Sequence, residues 1–185
     1  DPKDPYGQDL DTLLKDLGLN NGQVLISKDK VTPHHLSMLY NIADVTVNVS
    51  DAEGFGLGTL ESLSCGTPIV VTMTGGLQEQ VTDGKEWFGV GVHPTSKALI
   101  GSQQVPYIYE DRISGEDFVD ALLKMHNMGP DERKKLGSKG RDHVMKNYNF
   151  EQFNKKWVDL MLEIYDKNGS WENRKNYKAW SVTEF

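Results

Sequence analysis

The 185-residue chain is 37% hydrophobic and 25% charged, with a net charge of −7 and a pI near 5.2. These values describe a soluble globular domain large enough for a real core, and they exclude wholesale disorder. An acidic chain without a basic stripe excludes nucleic acid as the main partner. The single Cys65 excludes an internal disulfide and fits a reducing, cytoplasmic setting, and no apolar run approaches the ~18 residues of a membrane-spanning helix.

Residues 1–9 are polar and broken by proline, the composition of an arm or loop. Leu10, Leu13, Leu14 and Leu17 have helical spacing, with Gly18 as a stop. The run 23–27 (Gln-Val-Leu-Ile-Ser) reads as a short buried strand. Thr32 and Pro33 start a helix as N-cap and first-turn proline, with Leu36, Leu39, Tyr40 and Ala43 on its core face. A strand over 45–49, a glycine-rich loop, a helix over 57–65 stopped by Gly66, and a strand over 69–73 follow.

Gly75 and Gly76 make a turn before a short helix over 77–81, and residues 89–92 form a fourth strand. The pattern is then lost, and 93–109 reads as a long loop reaching toward a ligand or neighbouring domain. Three helices complete the chain: one from the Ser114/Asp117 cap through Lys124, one from Pro130 to about Asn147, and one from Phe150 to Lys167. On the last, Phe153, Trp157, Leu160, Met161 and Ile164 share a stripe. Strand–helix alternation followed by helices predicts an α/β fold, a Rossmann-like parallel sheet with helices on both faces. Four strands against the usual about six of a doubly wound domain make it one without its first strands.

The chemistry gathers in the loop between the second and third of these strands. Gly54, Gly56 and Gly58 alternate just before a helix, flanked by Glu53 and Glu61. Glycines let backbone approach a phosphate closely, and first-turn amides with the positive helix end favour an anion there. A carboxylate on either side suits sugar hydroxyls. The third glycine comes too early for a Gly-x-Gly-x-x-Gly dinucleotide fingerprint, which argues against a dehydrogenase.

Glu53-Gly-Phe-Gly-Leu-Gly-Thr-Leu-Glu61, Ser64-Cys-Gly-Thr-Pro68 and Gly75-Gly-Leu-Gln-Glu79 resemble the donor-binding, C-terminal half of a retaining glycosyltransferase of family 4, in the GT-B fold. The likeness runs from about residue 10 to 165. It implies that Glu53 is the catalytic carboxylate that places a donor hexose. Phe55, Gly56, Leu57, Gly58 and Thr59 would then line the hexose and diphosphate, and Glu61 would hold ribose hydroxyls. The loop of Ser27, Lys28, Lys30 and Val31 would line the base.

The resemblance also implies a UDP- or GDP-sugar as substrate, with GDP-mannose preferred, and no metal or other cofactor. An Arg/Lys diphosphate clamp and an N-terminal acceptor domain, both outside these residues, would complete the enzyme, so the isolated chain should transfer no sugar. On this reading 1–165 is the donor-binding domain, and the aromatic tail 166–185 packs back on the acceptor domain. The basic helix face of Lys134, Lys135, Lys139 and Arg141 is mainly solvated, with a peripheral membrane contact as the other option. The competing readings are a GT-B epimerase or phosphorylase and a non-catalytic nucleotide-sugar-binding module.

Overall fold

The computed structural model describes residues 7–175 and 183, which fall into two compact units divided between Leu39 and Tyr40. In the first unit, helix α1 (Leu10–Asp16) begins where the Asp9 carboxylate accepts the Thr12 N–H at 3.2 Å. It ends at Leu17, followed by Gly18 in the left-handed region. Residues 23–27 do not form the expected strand: Leu25 is 88% exposed and the segment has no strand partner among the described residues. An apolar run becomes a strand only where a neighbour takes up its backbone N–H and C=O groups. Thr32 caps α2 (Pro33–Ile42) as predicted, its hydroxyl accepting the His35 N–H at 3.3 Å.

The second unit is built on a parallel sheet of β1 (Thr46–Asn48), β2 (Ile69–Thr72) and β3 (Gly89–Val92), in the order β1-β2-β3. Between the strands lie α3 (Leu57–Ser64) and α4 (Leu77–Val81). Every residue of β2 is buried, so its alternating side chains feed two cores. Ile69 and Val71 pack with Leu63, Leu77, Val81, Phe88 and Val144, while Val70 packs with Val90, Val92, Ala121 and Met125. The second core is closed by α5 (Gly115–Asn127), which opens on the Ser114 hydroxyl accepting the Asp117 N–H at 3.1 Å.

Helix α6 (Pro130–Asn147) lies on the first core through Val144 and comes close where it has no side chain. A Cβ on Gly137 would sit 1.9 Å from the Gly66 carbonyl oxygen. On its basic face, Lys139 pairs with Glu86 at 3.2 Å and Arg141 donates to the Ser64 carbonyl. Helix α7 (Phe150–Asn168) is capped by Asn149 and buries none of its residues, so its apolar stripe is exposed. It runs through position 165. Of the expected aromatic tail, Trp171 is exposed with Arg174 over its ring; Tyr177, Trp180 and Phe185 lie outside the described residues.

The segment 93–109 is not a loop. β4 (Ser96–Ile100) and β5 (Ile108–Arg112) form an antiparallel hairpin. Its base is fixed to the residues ahead of Glu53: the Asp111 N–H donates to the Asp51 carbonyl at 2.8 Å, and the Arg112 guanidinium pairs with the Asp51 carboxylate at 2.9 Å. No helix among the described residues is long and apolar enough to cross a membrane.

Candidate functional site

The site forms where β1 ends and α3 begins. Asn48, the last residue of β1, turns its side chain along the chain. Its Oδ1 accepts the Ser50 N–H at 3.1 Å and the Ser50 hydroxyl at 2.7 Å, while its Nδ2 lies 3.5 Å from Glu53 Oε2. Glu53 is thereby steered from the strand end, half-buried.

Gly56 is the N-cap of α3, in the left-handed region at φ 86°, and no side chain caps the helix. The N–H groups of its first turn have no partner within the helix, so they and the positive helix end make an anion-binding surface. At three of its glycine positions this region is packed too tightly for a side chain. A Cβ on Gly56 would lie 2.5 Å from Leu77 Cδ2, one on Gly75 would lie 1.7 Å from the Glu53 carbonyl oxygen, and one on Gly76 would lie 2.6 Å from that of Phe55. The Gly76 N–H also donates to the Gly54 carbonyl at 3.2 Å. The two turns following β1 and β2 are thus held backbone to backbone.

Glu61 sits on the exposed side of α3, opposite the buried Thr59, Ser62 and Leu63. The Tyr40 hydroxyl donates to Glu61 Oε2 at 3.1 Å. Burial, then this bond and the Glu61 charge, push the Tyr40 pKa up to about 12, so Tyr40 remains a donor at any ordinary pH. Phe55 and Leu57 are exposed; Phe55 meets Tyr148 edge-on at 6.0 Å, beside an apolar cavity of 390 Å³ lined also by Leu60, Phe150 and Phe153.

The structure thus brings Glu53, Phe55, Gly56, Leu57, Gly58, Thr59 and Glu61 onto one loop and helix start. Ser27, Lys28, Lys30 and Val31 belong to a loop of the first unit, where the Ser27 hydroxyl donates to the Asp29 carbonyl at 3.3 Å. No group of three or more His, Cys, Asp or Glu suited to a metal ion occurs among the described residues.

Sequence reasoning missed two contributors. Tyr40 reads as a core position of α2, yet its hydroxyl reaches Glu61. Gln80 reads as an ordinary residue of a short helix, yet it is fully buried against the glycine loop. The signal for Gln80 was its place between Leu77 and Val81, on a helix face that is otherwise apolar.

A family model described as Glycosyl transferases group 1 matches residues 4–143. The chain belongs to this family. It is 35% identical over 109 residues to a D-inositol 3-phosphate glycosyltransferase from Paenarthrobacter aurescens (strain TC1), covering 58% of this chain and 25% of that protein. A protein of the same name from Saccharomonospora viridis is 30% identical over 128 residues, covering 69% of this chain and 23% of the relative. The chain therefore spans about a quarter of the length of these curated relatives.

Among solved structures it resembles a sucrose-phosphate synthase from Thermosynechococcus elongatus, with a TM-score of 0.65 and 23% identity over 88% of this chain and 37% of that one. It also resembles the C-terminal domain of a glycosyl transferase group 1 family protein from Francisella tularensis, with a TM-score of 0.52 and 25% identity over 77% of this chain and 62% of that one. The architecture is the Rossmann-like α/β one of the C-terminal half of a GT-B fold.

Proposed function

We propose that this chain forms the donor-binding part of a nucleotide-sugar-dependent glycosyltransferase. The observation that carries the reading is the α3 start: three amide-bearing residues follow an uncapped left-handed glycine, between two carboxylates, in a chain of the group 1 family. In this reading the diphosphate lies over residues 56–59. Glu53 takes the transferred hexose, Phe55 and Leu57 flank it, and Glu61 takes the ribose.

The reaction is front-face displacement at the anomeric carbon with retention. The acceptor oxygen forms the new bond on the side from which the diphosphate leaves, and the leaving oxygens take the acceptor proton. The helix amides stabilise the charge that builds on the leaving group, an electrostatic device needing no metal at this site. The donor is a nucleoside diphosphate hexose, with UDP-sugars and GDP-mannose as the candidates. Residues 1–165 act as the donor domain, and 166–185 return to an acceptor domain.

Calorimetric titration of GDP, UDP, GDP-mannose and UDP-glucose tests the reading. Binding of a nucleoside diphosphate, with loss of most affinity when the diphosphate is removed, is expected. Absence of binding by all four, or equal affinity for the bare nucleoside, overturns it. A product assay then separates sugar transfer from epimerisation of the donor.

A further inference from the structure

Gln80 has no exposed surface, and its carboxamide is directed at the glycine loop. Its Nε2 donates to the Phe55 carbonyl at 2.5 Å and to the Gly56 carbonyl at 3.1 Å. Its Oε1 lies 2.6 Å from the Thr59 hydroxyl, which is also 2.9 Å from the Gly56 carbonyl. Two converging carbonyls can be met only by the NH₂ end, so the orientation of the amide is dictated by its surroundings. A buried amide is tolerated where its partners are all present, and here both ends have them.

The consequence follows from peptide geometry. In a planar trans peptide the C=O and the next N–H point in opposite directions. Drawing the Phe55 and Gly56 carbonyls inward onto Gln80 turns the Gly56 and Leu57 N–H groups outward, away from the core and toward the space over the α3 start. The Gly56 carbonyl is also held by the Leu60 N–H at 3.2 Å and the Thr59 hydroxyl at 2.9 Å, whereas the Phe55 carbonyl relies on Gln80. Loss of Gln80 therefore frees first the Phe55–Gly56 peptide plane, next to a left-handed glycine, the residue freest to rotate.

We propose that Gln80 is a positioning residue that aims the Gly56 amide, and together with Thr59 and the Leu60 N–H the Leu57 amide, at the donor diphosphate, acting through the loop without touching the ligand. The proposal rests on the donor-site reading above.

The test is an NMR titration of the 185-residue chain with UDP and GDP, each compared with its nucleoside, in wild type, Gln80→Leu and Gln80→Glu. Leu removes the donors; Glu keeps the size and sets an oxygen against two carbonyl oxygens. In wild type the Gly56 and Leu57 amide signals should shift with the diphosphate and not with the nucleoside. Both variants should lose about tenfold or more in diphosphate affinity while nucleoside affinity stays unchanged, a split that general loosening of the fold does not produce.

Wild-type binding at these amides with equal diphosphate affinity in either folded variant overturns the positioning role and leaves the donor site standing. No diphosphate response in wild type overturns both. Wild type also carries a check that needs no variant. The Gln80 carboxamide protons must exchange slowly with water, and fast exchange overturns the role even if neither variant folds.

Discussion

Gly75 and Glu53 meet backbone to backbone, so closely that a Cβ on Gly75 would lie 1.7 Å from the Glu53 carbonyl oxygen. Gly75 is also in the left-handed region, at φ 47°. Gly75→Ala must therefore displace the segment that carries Glu53 and strain its own backbone. It should cost at least about 2 kcal/mol in urea unfolding. Gly54→Ala, with open space around its Cβ, should change stability by no more than about 1 kcal/mol. Equal costs at the two positions would contradict the close packing of the two turns.

The Tyr40–Glu61 bond predicts an alkaline loss of stability. Burial, with the Glu61 bond and charge, raises the folded Tyr40 pKa from 10.0 to about 12. The folded state therefore holds the phenol proton more tightly than the unfolded state. Its contribution is fully present below pH 10 and declines as pH rises from 10 through about 12. Tyr40→Phe should flatten this part of the stability–pH curve relative to wild type. Parallel curves for the two proteins would mean that the phenol is not held by Glu61.

The two glutamates should separate into binding and turnover. Glu61→Ala should weaken nucleotide diphosphate affinity by about tenfold or more, measured by calorimetry. Glu53→Gln should cut kcat in the enzyme by at least about 100-fold while nucleotide affinity stays nearly constant. Surviving turnover in Glu53→Gln would reduce Glu53 to a structural residue.

Arg112 joins the hairpin to the approach to Glu53, pairing with Asp51 at 2.9 Å and Glu110 at 2.7 Å. The Glu110 hydrogen bond, reinforced by the Asp51 charge, raises the guanidinium pKa further, so the pairing persists at all working pH values. The side chain is half-buried at the surface, and Arg112→Ala should hardly move the global unfolding midpoint. It should speed amide exchange in β4, β5 and the Asp111 N–H, and leave β2 protected. Uniformly unchanged exchange would show that the hairpin does not depend on this pair.

The central part of the fold was legible because its signals are strong and local. The apolar run of β2, the Gly66 stop and the glycine turn after β2 all read directly. The hairpin was not legible, because β4 and β5 bury no side chain and so lack the alternation that marks a half-buried strand. Their pairing is carried by backbone bonds and by Asp51, a residue some fifty positions away from the hairpin's middle in sequence. The run 23–27 shows the converse error, apolar composition without a partner strand. At the site, Glu53, the glycines and Glu61 stood out by type and spacing. Gln80 stood out only by its place on the face of Leu77 and Val81, and its role appears once the carbonyls it satisfies are in view.

The hairpin offers a mechanical handle on the site. Its tip, residues 101–107, is exposed throughout, while its base is bonded to Asp51. With a strand rise of ~3.3 Å per residue, the tip lies roughly 13 Å from that anchor. A fluorophore at Gln103 would ride on an arm rooted two residues before Glu53, reporting small movements of the glycine loop as larger displacements of the dye.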